Sequence, residues 1–214
     1  MYDLPYYKEN ETKVIFEFIR NYPFAFLAGC DRNKKPVATQ VPVLIEQREN
    51  KYFLKGHMMR NTDHHLTFVH NPDILAVFTG ANTYVSATWY SNPHQASTWN
   101  YMSVHVRGKI KFLNEEGLID ILKKLTMYFE INDKNSTTIF DNLTDEYKLP
   151  LLKAIVGFEI EIENIQNVFK LSQDRDEKSY HNIIKMLSKQ TEDGKAIANE
   201  MKQRAYGLFN HSKE

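Results

Sequence analysis

The sequence predicts an α+β fold in which a β-barrel is flanked by helices. Short runs rich in β-branched and aromatic residues, bounded by turn residues, recur from Phe24 to Gly108. Other stretches space apolar residues along one helical face, as at Val14, Ile15, Phe18 and Ile19 and again at Leu118, Ile121, Leu122 and Leu125. The clearest strand sets Val156, Phe158, Ile160 and Ile162 against Gly157, Glu159, Glu161 and Glu163, burying one face and turning an acidic one to water.

A chain of 214 residues is long enough for a real core. Lys plus Arg equals Asp plus Glu at 27 each, so there is no global field to attract a nucleic-acid backbone. The single cysteine, Cys30, excludes an intrachain disulfide framework and reads as a small buried strand residue in a reducing cytoplasm. Neither an export signal nor a run near 18 apolar residues is present, so no membrane partner is expected.

In chain order, Met1 to Tyr7 is extended, Asn10 can cap the first helix, and Pro23 stops it. Phe24 to Gly29, Val37 to Ile45 and Lys51 to Lys55 read as a meander with a polar turn at Asp31 to Lys35, and Pro42 assigns the second strand to an edge or a bulge. At Gly56 the pattern changes from strand to helix. Gly56, His57, Arg60, Asn61 and Thr62 supply a permissive backbone, a cation and polar donors at a helix N-terminus, which suits a phosphate. The same residues can equally cap and solvate a short helix. His64, His65 and His70 lack the spacing of a helical metal pair, so no metal site is expected. Asn71-Pro72 ends this helix, and Ile74 to Thr79 makes a fourth strand punctuated by Gly80.

Tyr84 to Gly108 holds both tryptophans, Trp89 and Trp99, on strand edges either side of a polar loop around Pro93. Two readings stand: the wall of a planar-ligand site, or a hairpin stapling the barrel. Thr98 to Leu113 can bend through a barrel with Gly108 as a bulge, and Asn114 caps the next helix. Ile131 to Thr144 is a connection anchored by Phe140, and Lys148 to Ala154 gives one or two helical turns. Lys170 to Arg175 leads into a helix with the face Tyr180, Ile183, Ile184 and Leu187. Its Lys170, Ser172, Gln173 and Arg175 offer donors to an anion, or a helix cap with solvated charges. Beyond Gln190 a terminal helix is spaced by Ile197, Met201 and Leu208, and the basic stretch Asn199 to Tyr206, with Lys202 and Arg204, reads as a solvated helix rather than a recognition helix.

The motifs Tyr84-x-Ser86-x-x-Trp89-Tyr90 and Thr98-Trp99-Asn100-Tyr101-x-x-Val104-His105-x-x-Gly108 resemble those of the PaiB family. So do Met1-Tyr2-x-x-Pro5, Gly56-His57 with Arg60, Ile155 to Ile160, and Lys170-Leu171-Ser172-Gln173-Asp174-Arg175. The resemblance implies an FMN-binding split barrel over residues 1–190, with a C-terminal helical tail at 191–214. It further implies a cytoplasmic homodimer that binds FMN and acts as a negative regulator of transcription of sporulation and degradative-enzyme genes. Lys55, His57, Arg60 and Thr62 would then lie near phosphate and ribityl. Trp89, Trp99 and Asn100 would shape the ring pocket, Thr39 and Gln40 would face the same cavity, and Lys170, Ser172, Gln173 and Arg175 would form a signature. No catalytic residue is assigned. The motifs usually carry proline where Ala87 and Ser97 stand, which predicts a looser loop, and asparagine where Thr62 stands. Binding to DNA is suggested by the family's description alone. Two alternatives belong to the same fold: an FMN-dependent reductase or oxidase, in which the flavin carries the redox chemistry, and a haem-handling protein using His57 or His211.

Overall fold

A computed structural model describes residues 1–2 and 4–210. Helix α1 (Thr12–Asn21) ends just before Pro23 and buries Ile15, Phe16, Phe18 and Ile19. Strand β1 (Phe24–Cys30) turns through Asp31, whose carboxylate accepts from the backbone N–H of Asn33 and of Lys35, both at 2.8 Å, and returns as β2 (Pro36–Arg48). Then follow β3 (Lys51–Met59), α2 (Asp63–His70), β4 (Asp73–Val85), a 3-10 turn at Ala87–Trp89, and β5 (Thr98–Phe112). Helix α3 (Glu115–Phe129) is capped by Asn114 as expected, and α4 (Asp145–Ala154), β6 (Ile155–Lys170), α5 (Glu177–Leu187) and α6 (Glu192–Asn210) complete the chain.

The strands form a closed antiparallel barrel in the order β1-β2-β3-β6-β5-β4. Closure removes every edge, so β2 is not the edge strand that Pro42 suggested. Phe24↔Pro42 is the terminal pair of the β1–β2 ladder and the β2–β3 ladder begins at Val43↔Gly56, so the missing proline N–H falls where both ladders end. The strand also does not stop at Gly56. A Cβ there would sit 2.8 Å from both the Phe158 ring and the Pro42 carbonyl oxygen, so the glycine makes room for a barrel side chain instead of starting a turn. The change of direction comes at Asn61, at φ 60°. Gly80 likewise lies inside β4, and Gly108 lets β5 approach β6, where a Cβ would meet the Glu161 carbonyl oxygen at 1.9 Å.

Contacts divide the chain into two compact units. One, residues 16–78 and 105–165, has a barrel interior of Leu27, Leu54, Ala76, Phe78, Phe158 and Ile160, with Leu118, Leu122, Phe140 and Ile155 packed together outside it. The other, residues 1–15, 79–104 and 166 onward, is built on Tyr180, Ile183, Leu187, Ile197 and Met201. In it α6 is a packed element, not the solvated terminal helix expected. Ile197, Ala198 and Met201 are fully buried, and Arg204 bridges Glu200 (2.7 Å) and Glu9 (2.8 Å). Among the described residues, no helix is long and apolar enough to cross a membrane. His211 lies outside the described residues.

Candidate functional site

Period-two geometry puts Lys55 and His57 together on the outward side of β3, opposite to Leu54 and Met58, but their surroundings differ. Lys55 is buried and its ammonium pairs with Glu46 at 2.8 Å; Lys124 joins the same carboxylate at 2.9 Å. Burial alone would raise the Glu46 pKa, yet the two ammoniums outweigh it and hold the carboxyl below its ordinary range. The Lys55 charge is therefore spent inside the protein. His57 lines a cleft of about 760 Å³ against α3 and α4. Burial pushes its pKa down, which keeps the ring neutral, and its Nδ1 is buried with no hydrogen-bond partner among the described residues.

Thr62 is the N-cap of α2. Its hydroxyl donates to the Met59 carbonyl (3.1 Å) and accepts from the His65 N–H (3.4 Å), while Asp63 takes the His64 N–H at 2.7 Å. The His64, His65 and Leu66 N–H groups of the first turn of α2 thus have acceptors at Thr62 and Asp63, and Asp63 adds a carboxylate that repels an anion. Arg60 is different: its backbone N–H donates to Ala154 (2.9 Å), but its half-buried guanidinium has no ion pair among the described residues. Neighbours on β2, Thr39 and Gln40 point to opposite faces. Thr39 is opposite the interior Leu27 and Gln40 opposite the exposed Phe26, so they do not share one cavity.

The remaining expected residues lie in the other unit. Trp99 is half exposed, donates from Nε1 to Asn82 (3.1 Å) and packs edge-to-face with Tyr84 at 6.2 Å. Trp89, half-buried in the 3-10 turn, has its carbonyl held by Asn182 at 2.8 Å. Asn100 is fully buried, accepting from the Ser172 hydroxyl (3.0 Å) and donating to Met201 Sδ (3.7 Å). Lys170 donates to Thr98 (2.6 Å) and lies 5.2 Å from the Tyr2 ring, and Gln173 ties the turn through Leu171 N–H (2.7 Å) and the Phe169 carbonyl (2.5 Å). Arg175 stacks on Tyr90 at 4.6 Å, pairs with Asp174 at 3.3 Å and donates to Gln95. In the Lys170–Arg175 segment the side chains of Lys170, Ser172, Gln173 and Arg175 all have protein partners, with the buried Arg175 Nε left over.

Several residues beside this segment escape a reading for ligand chemistry. Asp176 caps α5 through Ser179 (2.9 Å) and receives the Ser91 hydroxyl (3.1 Å), while Ser179 receives the Ser91 N–H (2.8 Å). The spacing Asp176-x-x-Ser179 is a helix-start signal that could have revealed the cap. The loop is also tied between the two positions that lack proline: the Ala87 N–H donates to Ser97 Oγ at 2.9 Å, a bond that proline at Ala87 could not make. This pairing offsets the loosening expected there.

Residues 1–164 match the family described as "Putative FMN-binding domain". Protease synthase and sporulation protein PAI 2 of Bacillus subtilis (strain 168) is 32% identical over 189 residues, covering 87% of this chain and 89% of that protein. The chain belongs to the PaiB family. Solved structures of low identity share its split-barrel fold. The FAD and haem binding protein from Mycobacterium smegmatis has a TM-score of 0.57 at 18% identity, covering 76% of this chain and 72% of that one. The flavocytochrome Anf3 from Azotobacter vinelandii has a TM-score of 0.56 at 15% identity, covering 79% and 72%. Within the PaiB motifs, Asn100, Lys170, Ser172 and Gln173 hold the polypeptide together through their hydrogen bonds, whereas the Arg60 guanidinium has no ion pair among the described residues and the Trp99 ring is half exposed.

Proposed function

We propose that this PaiB-family chain is a cytoplasmic, homodimeric FMN-binding protein that acts as a negative regulator of sporulation and degradative-enzyme genes. The observation that carries the flavin reading is Arg60: a half-buried guanidinium without an ion pair among the described residues, at the left-handed turn after β3, in a chain whose residues 1–164 match an FMN-binding family. That guanidinium suits a phosphate, which it can grip with two parallel hydrogen bonds. Lys55 and Thr62 serve the phosphate less, because Glu46 and the α2 cap already engage them. When bound, flavin supplies redox and light-absorbing chemistry; the protein's part is to bind and orient it. The regulatory role rests on the likeness to PAI 2, and the even charge balance favours action through a partner or ligand state over a broad basic DNA-binding face.

The visible spectrum of the purified protein tests this, taken before and after adding FMN and desalting. A flavin band retained at about one per subunit, weakened at least ~tenfold in affinity by Arg60→Ala, is the expected result for loss of one charge-assisted phosphate contact. Absence of any retained band, or retention unchanged in Arg60→Ala, would overturn the assignment.

A further inference from the structure

The cleft lined by His57 is not explained by the flavin reading. Its walls come from α3, α4, the connection between them and the start of β6: Leu122, Phe140, Leu143, Leu151 and Ile155 give it an apolar lining, and Tyr147 and Lys148 line it from α4. At about 760 Å³ it falls in the range of small-molecule pockets, roughly 300–1,000 Å³. Its charge is one-sided. Among the described residues that line it, Lys148 alone carries a full charge, since burial holds His57 neutral. The Lys148 side chain is only 18% exposed and its ammonium lies 5.5 Å from the Phe140 ring, so it is partly desolvated. Its one carboxylate partner among the described residues, Asp145, stands at 3.1 Å with a side chain 86% exposed, and such a water-screened pair competes weakly for the ammonium. The Thr126 hydroxyl is already committed, donating to the Leu122 carbonyl (2.9 Å) and accepting from the Phe140 N–H (2.9 Å).

We propose that this cleft binds a small amphipathic carboxylate, with its apolar body against Leu122, Phe140 and Ile155 and its carboxylate on Lys148. The ligand's tail replaces water over the apolar wall, and its head gives Lys148 a partner less exposed than Asp145. His57 contributes a neutral wall beside that body. Nothing in this requires FMN, so the proposal stands or falls apart from the flavin reading.

The test uses 8-anilinonaphthalene-1-sulfonate, an aromatic anion that fluoresces in apolar surroundings, with octanoate and octylamine as competitors against the full chain. The expected result is saturable fluorescence that octanoate displaces and octylamine does not. Affinity should fall ~tenfold in Lys148→Ala, as for one lost charge-assisted contact, and recover in Lys148→Arg. Leu151→Trp, which fills the cleft from a partly exposed position, should abolish binding while far-UV circular dichroism stays unchanged. Binding unaffected by both Lys148→Ala and Leu151→Trp would place the probe elsewhere and overturn the proposal. Stoichiometric displacement of the probe by FMN would also overturn it, by making the cleft the cofactor's own.

Discussion

Ala87 and Ser97 show how two residues that look like losses can compensate each other. Each stands where the family motif carries proline, and their 2.9 Å hydrogen bond ties the loop that ring constraints would otherwise stiffen. Ser86, at φ −75° and ψ 135°, has the backbone a residue before proline needs, and Ala87 opens the 3-10 turn, so proline is tolerated there. Ser97→Ala should therefore cost about 1 kcal/mol in the natural background and almost nothing once Ala87 is replaced by proline; urea unfolding of the four variants in a double-mutant cycle reads the difference. His57 makes a second prediction at this scale. Its folded pKa lies below the ordinary 6.5, so just below that pH the unfolded chain binds more protons, and stability that is complete above 6.5 drains away as pH falls. His65 and His105, both also lowered by burial, act in the same direction. The urea midpoint should drop between about pH 7.5 and about pH 5.5, and His57→Leu should flatten part of that slope. An unchanged slope would mean that His57 is solvated.

At the scale of elements, β3 is the most instructive. Its first half, Lys51 to Lys55, is legible as a strand, whereas Lys55, expected beside a phosphate, holds an ion pair with Glu46 beneath α3. Glu46, 78 residues from Lys124 along the chain, cannot be matched to Lys55 and Lys124 without the β2–β3 register and the placement of α3. Glu46→Ala should cost about 2–3 kcal/mol, somewhat under the loss for a fully buried pair, because it strands the buried Lys55 ammonium. Lys51→Ala, which breaks the exposed contact with Glu161, should leave the unfolding midpoint unmoved. The length of β3 escaped the sequence for a related reason. Glycine ordinarily punctuates a strand, and only the Phe158 ring across the barrel shows why Gly56 continues one.

For the molecule as a whole, the outward face of β1 leaves Phe24 59% and Phe26 42% exposed, with Val77 beside Phe26 in register. Apolar side chains of this size on one sheet face fit burial against a second copy, in keeping with the homodimer proposed above. Sedimentation should give twice the 25.2 kDa chain mass, and Phe26→Glu should return it to one; a monomer in the unaltered protein would sink the dimer. The sequence by itself determined the α+β class, the amphipathic face of α3, the Asn114 cap and the PaiB membership, because periodicity, capping and dispersed motifs are properties of neighbours along the chain. Tertiary structure alone decided that α6 is packed, that Lys55 is neutralised, that Ala87 answers Ser97 and that Arg60 is left without an ion pair among the described residues. Each of these depends on groups far apart in sequence, and a side chain's availability is set by which distant partner reaches it first.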